Sequence, residues 1–149
     1  MMTTTHEPHA DAVAPVDHAG MEVLTWDECL RLAASEPVGR IAFLSDGDPI
    51  VLPVNHTMVD HFVVFRTITG TKLSAVELGM PVAFEVDRYD PKTLGGWSVL
   101  FRGKAEELDA DDMRDLDLLS WVEEPIRDRF VRIQPDIVTG RRILGRQTG

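Results

Sequence analysis

The stretch Phe65-Arg66-Thr67-Ile68-Thr69-Gly70-Thr71-Lys72-Leu73 concentrates anion-binding chemistry in a short span. Arg66 offers a guanidinium fork that matches a phosphate bidentately, and Lys72 adds a compact point charge. Thr67, Thr69 and Thr71 add hydroxyls. A strand is expected to end at Arg66 and Thr67, and a helix to begin near Lys72 after the flexible turn at Gly70. Free amides and the partial positive charge of a helix start favour an anion there. The lysines of this chain are Lys72, Lys92 and Lys104. A side-chain cation at a helix N-terminus opposes the dipole. Such a local conflict is what a functional site produces. Two readings stay open: a phosphate site, or ion pairs with the abundant surface carboxylates.

Other residues carry weaker signals. Pro53 interrupts Ile50-Val51-Leu52-Pro53-Val54-Asn55-His56. Proline removes a ladder amide, so this segment is an edge, a bulge or a ligand-facing strand. Asn55 beside it offers donors and an acceptor. Glu85 and Asp87 alternate with Phe84 and Val86, so the two carboxylates share one face. They form either an acid/base pair or ion pairs with Arg40, Arg66 or Arg102 across the sheet. Cys29 falls on an apolar helical stripe and reads as core. His56 and His61 read as surface histidines at a strand turn. Trp26, Trp97 and Trp121 fall on apolar faces, with Trp97 the one placed to approach a ligand. Arg141 and Arg142 read as solvated cations or as contacts for an anionic substrate. Ser98 has no histidine beside it in sequence, and no catalytic triad is visible.

The elements that position these residues can be read in order. Residues 1–20 are small, polar and without period, and are expected to be a disordered tail; His6, His9 and His18 lie in it without metal-ligand spacing. Residues 21–149 form one domain. Thr25-Trp26-Asp27-Glu28 is a capping box that opens a helix ended by Pro37. Strands are expected over Val38–Leu44, Ile50–Val59, His61–Thr67, Pro81–Val86 and Trp97–Ala105. Two closing strands follow, Phe130–Ile133 and Ile137–Ile143. The turn cluster Ser45-Asp46-Gly47-Asp48-Pro49 joins the first two strands, and Asp87 to Gly96 forms a polar connection. A short helix runs from Thr71 to Gly79. A third runs from Asp109 to Val122, with Met113, Leu116 and Leu119 inward and Asp109, Asp111 and Asp112 favoured at its start. Seven strands and few helices predict a small antiparallel barrel, since closure removes exposed edges.

Composition bounds the partners. The 149 residues suit one domain, and hydrophobic residues make up 44%. The net charge of −10 opposes nucleic-acid backbones and anionic membrane surfaces. With Cys29 as the single cysteine, no intrachain disulfide forms, which fits a reducing cytoplasm. No apolar run reaches the ~20 residues of a membrane span. No metal site is expected.

The ordered motifs Gly39-Arg40-Ile41-Ala42-Phe43, Pro49, Pro53-Val54-Asn55, Phe65-Arg66-Thr67 with Gly70-Thr71-Lys72, Phe84-Glu85-Val86-Asp87, and Trp97-Ser98-Val99 with Gly103-Lys104-Ala105 together resemble the pyridoxamine 5'-phosphate oxidase-like FMN-binding split-barrel superfamily. The likeness covers Thr25 to Ile143. It implies a mainly β chain, a six- to seven-stranded antiparallel split barrel, and a homodimer with FMN at the subunit interface. It implies a flavin phosphate held by Arg66, Thr67, Lys72 and Thr71. The ring system would lie along Pro53, Val54 and Asn55, with Trp97 and Ser98 approaching, from the other subunit if not from the same one. It implies an FMN-dependent oxidoreductase acting on a small organic substrate. The C-terminal run Arg141-Arg142-Ile143-Leu144-Gly145-Arg146 lacks the family's Arg-x-His pattern, and Tyr89 is the single tyrosine. Vitamin B6 oxidation is therefore not the expected reaction. The alternatives are a deazaflavin F420-dependent reductase, for which only Arg40 and Arg102 supply extra cations, and a non-catalytic flavin-binding module.

Overall fold

The computed structural model describes residues 15–17, 20–68, 79–115 and 128–146. Chain order is β1 (Glu22–Val23), α1 (Trp26–Ser35), β2 (Val38–Ser45), β3 (Asp48–Val59), β4 (Phe62–Ile68), β5 (Pro81–Asp90), β6 (Gly95–Glu107), α2 (Ala110–Asp115) and β7 (Asp128–Ile143). All pairings are antiparallel, in the order β1-β7-β4-β3-β2-β5-β6, and β6 pairs back onto β7. Six strands thus close a ring, and β1 adds to its outside through β7.

Turn chemistry sets the register of the hairpins. Asp46-Gly47 joins β2 to β3 with both residues at positive φ, 50° and 82°, the backbone of a type I′ turn. Asp60, at φ 52°, opens the two-residue link to His61 between β3 and β4. Alternation then sends Ile41, Val63, Phe65, Phe84, Val86, Val99, Phe101, Val131 and Ile133 into one core. The helix α1 covers one end of it with Cys29, Leu32 and Ala33. The capping box works with one change from expectation. Thr25 Oγ1 accepts the Glu28 amide at 3.2 Å, and its hydroxyl donates to the Glu28 carboxylate at 3.1 Å.

Several sequence expectations need correction. The two closing strands are one strand, β7, bent by a bulge where Gly103 faces Pro135 and Arg102 faces Ile137, leaving Asp136 unpaired. Pro135 sits at that bulge, where its missing amide costs least. The polar Asp87–Gly96 connection is mostly strand: β5 and β6 continue to a tight turn at residues 91–94. Within the expected tail, residues 15–17 are held against the barrel: the Val23 amide donates to the Pro15 carbonyl at 2.7 Å, and Asp17 pairs with Arg141 at 2.9 Å. The helix expected over Asp109–Val122 is described over Ala110–Asp115, opened by reciprocal Asp109 and Asp112 caps at 2.8 and 3.0 Å. Residues 71–78 of the expected Thr71–Gly79 helix, and Leu116, Leu119 and Trp121, lie outside the described residues.

Candidate functional site

The ring is not evenly zipped. The β3–β4 ladder spans only His56–Val59 against Phe62–Phe65. Beyond it β4 continues along β7, from Arg66 opposite Phe130 to Ile68 opposite Asp128. Meanwhile β3 continues along β2, with Pro53 opposite Arg40 and Asn55 opposite Val38. A wedge therefore opens between Pro53–Asn55 on one lip and Arg66–Ile68 on the other. At Pro53 the strand is paired on one side only, so its missing amide breaks no ladder, as the edge reading predicts. Among the described residues, neither lip has a strand ladder on the side that faces the wedge.

The side chains sort by strand alternation. His56 and Phe65 face each other in the core, so Asn55 and Arg66 point outward and are near neighbours. Pro53 points outward with them, and Val54 is buried, 7% exposed, within the core. Thr67 belongs to β4. Thr71 and Lys72 follow β4 outside the described residues. Trp97 and Ser98 are elsewhere. Ser98 pairs with Asp87 and Arg141 on the outer face, and Trp97 packs half-buried against the core edge. In the closed ring β6 lies opposite β3, three strands away in either direction. One chain does not bring Trp97 and Ser98 to the wedge.

Next to Pro53 lies a charged cluster. Arg40 donates to the Glu85 carboxylate at 3.3 Å and to that of Asp87 at 3.2 Å. This is the cross-sheet pairing anticipated for the two carboxylates. Burial pushes the Glu85 carboxyl up to about 7, with the neighbouring Asp87 adding to the shift and Arg40 opposing it.

Sequence reasoning misplaced three residues. His56 is buried rather than surface: its Nε2 lies 2.9 Å from the Ala33 carbonyl, and its ring meets Phe84 edge-on at 5.1 Å. A carbonyl only accepts, so Nε2 carries the proton, and the bare Nδ1 has no partner among the described residues. Arg141 and Arg142 are half-buried and ion-paired; Arg141 holds Asp17, and Arg142 lies within 4 Å of Glu22 and Glu28. The inward alternation of β3 around Val54 was the signal for His56; the arginines' carboxylate partners are remote in sequence and left none. Cys29 is core as expected, and burial pushes its thiol up to about 11.

A barrel opened along its ladders in this way is a split barrel, and the comparisons with known proteins agree. Residues 25–142 match the pyridoxamine 5'-phosphate oxidase family, and the chain belongs to that family. The uncharacterized protein Rv0080 of Mycobacterium tuberculosis is 36% identical over 145 residues, covering 92% of this chain and 95% of its own. The structure of an FAD binding protein from Mycobacterium smegmatis is 34% identical, with TM-score 0.68, over 81% of this chain and 98% of that one. An FAD-binding protein from Mesorhizobium loti is 27% identical, with TM-score 0.67, over 83% and 98%.

Proposed function

We propose that this chain is a flavin-dependent oxidoreductase that works as a homodimer on a small organic substrate. The observation that carries the reading is the β3–β4 wedge, with the outward Asn55 beside the outward, half-buried Arg66. A guanidinium beside open backbone groups suits a phosphate-bearing planar cofactor. In this reading Arg66, Thr67, Thr71 and Lys72 hold the flavin phosphate. The ring lies along the backbone of Pro53, Val54 and Asn55. The partner subunit's Trp97 and Ser98 reach it across the interface.

FMN is the cofactor we infer. FAD is the second reading, favoured by the names of the two relatives above. FAD contains the FMN unit, so the phosphate residues serve either. F420 is the least supported, because Arg40 is already held by Glu85 and Asp87. The bound flavin would supply the electron transfer, and the chain supplies binding, orientation and exclusion of water. The chain's own proton-handling group nearest the Pro53 lip is Glu85, held by Arg40 opposite Pro53 and titrating near neutrality.

The test is flavin retention. Purified protein loaded with FMN or FAD and desalted should keep the oxidised-flavin absorbance band. Arg66→Ala combined with Lys72→Ala removes two charge-assisted contacts worth about 3 kcal/mol together, or roughly a hundredfold in Kd. A double variant that keeps flavin affinity within a few-fold removes the phosphate site as assigned. A second measurement, multiple turnovers with a nicotinamide donor, separates an enzyme from a storage or sensing module.

A further inference from the structure

The fold opens in a second place. Three rungs join β2 to β5: Arg40 to Glu85, Ile41 to Phe84, and Ala42 to Ala83. Past Ala42 the two strands part, and the end of the β2–β3 hairpin stands off the barrel like an arm. The gap is an open cleft of about 500 Å³, within the range of small-molecule sites. Its walls are apolar, with Phe43, Ile50 and Val51 on the arm and Val82 and Ile137 opposite. The small pair Ala42 and Ala83 forms the last closed rung and leaves the floor low.

Two cations stand on the rim. Arg102 and Lys104 alternate on the outer face of β6, opposite Ala83 and Pro81. The β7 bulge lies beside them: the Gln134 carbonyl and Pro135 press against Gly103 where any side chain would collide. Most arginines of the described sheet, Arg40, Arg88, Arg132, Arg141 and Arg142, have a carboxylate within 4 Å. Among the described residues Arg102 and Lys104 have none, although the chain carries 25 carboxylates. Asp136 also lines the cleft and also lacks an ion pair among the described residues, which leaves the rim with one net positive charge. Exposed apolar side chains are part of the same place: Val51 is 62% exposed and Ile137 42%.

We propose that this cleft is a binding site for a small molecule with a flat apolar body and one anionic group, a carboxylate or a phosphate. The body lies between the arm and Val82, and the anion meets Arg102 and Lys104. The site is separate from the wedge at Arg66, which opens on the other edge of the β2–β3 hairpin, and its existence does not depend on the flavin reading. Flavin mononucleotide is itself an aromatic anion, so the test distinguishes the two sources.

The probe is anilinonaphthalene sulfonate, titrated by fluorescence into the full-length protein with and without saturating FMN. N-phenyl-1-naphthylamine, its uncharged counterpart, serves as the control. One sulfonate per chain should bind at micromolar concentration, and FMN should not displace it. Arg102→Gln with Lys104→Gln changes two exposed side chains and should weaken the sulfonate about tenfold or more while leaving the neutral probe within twofold. Ala83→Phe, which raises the floor, should weaken both probes. Failure of the wild-type protein to bind the sulfonate, or an unchanged affinity in the double variant, overturns the proposal. Displacement by FMN overturns it as a separate site and gives the cleft to the flavin.

Discussion

At the scale of single residues, two buried or half-buried titrating groups pull stability in opposite directions with pH. His56 has its ordinary value of 6.5 lowered, chiefly by burial, which outweighs its backbone contacts at Ala33 and Pro37. Protonation would place a bare Nδ1–H among core side chains. The unfolded chain therefore binds the proton more tightly, and stability is complete above 6.5 and falls as pH drops below it. Glu85 behaves in the reverse sense. Its value is raised from 4.5 to about 7, so its contribution is complete below 4.5 and is lost as pH rises through about 7. The two slopes partly cancel in the wild-type protein, and single variants separate them. Urea midpoints followed from pH 4.5 to 8 should rise more steeply with pH in Glu85→Gln than in wild type. They should rise less steeply, or fall, in His56→Gln. Parallel curves for all three proteins would show that neither group is linked to folding. The Glu85 contribution is moderated by solvent, because both it and Arg40 remain partly solvated.

At the scale of elements, the β2–β3 hairpin has a narrow attachment to the rest of the ring. It is held by three rungs to β5 and four to β4. Gly39 lies beside the first of these attachments, where a Cβ would collide with the Phe84 ring and the Glu85 carbonyl. Gly39→Ala should therefore cost about 1–3 kcal/mol by overpacking. Because the hairpin forms one lip of the wedge, flavin retention should fall with stability. A urea midpoint equal to wild type would show that β2 and β5 separate at no cost. This hairpin was legible from residues alone, because Asp46-Gly47 dictates its turn and the flanking alternation dictates its faces. The wedge was legible only in part. Pro53 announced a broken ladder, and Arg66 with Asn55 announced polar chemistry. Their juxtaposition depends on where β4 leaves β3 for β7, a pairing between residues some sixty apart. The continuity of β7 was hidden for the same reason. Pro135 reads locally as a strand break, and only the long ladder to β6 shows it to be a bulge.

At the scale of the whole molecule, one sheet face lacks cover among the described residues. The rows Asn55–Val38 and Pro53–Arg40–Glu85–Leu100 run across β3, β2, β5 and β6 on the outside of the barrel. Val38 is 45% exposed there. Separately, the assigned residues Pro53–Asn55 on β3 and Trp97–Ser98 on β6 sit on opposite strands of a single ring. A second copy laid on this face would cover Val38 and bring its own β6 toward the wedge. In the proposed homodimer, dimerisation and flavin binding form one linked equilibrium, since a site built from two copies exists only in the dimer. Val38→Asp alters an exposed position, so each barrel should keep its far-UV spectrum and lose less than about 0.5 kcal/mol of stability. The same change should shift the mass in light scattering from two chains to one and release the flavin in the same concentration range. Dilution of the wild-type protein should release flavin along the same curve as it releases monomer. Monomeric wild-type protein that holds flavin at full occupancy would confine the site to one chain and remove Trp97 and Ser98 from it.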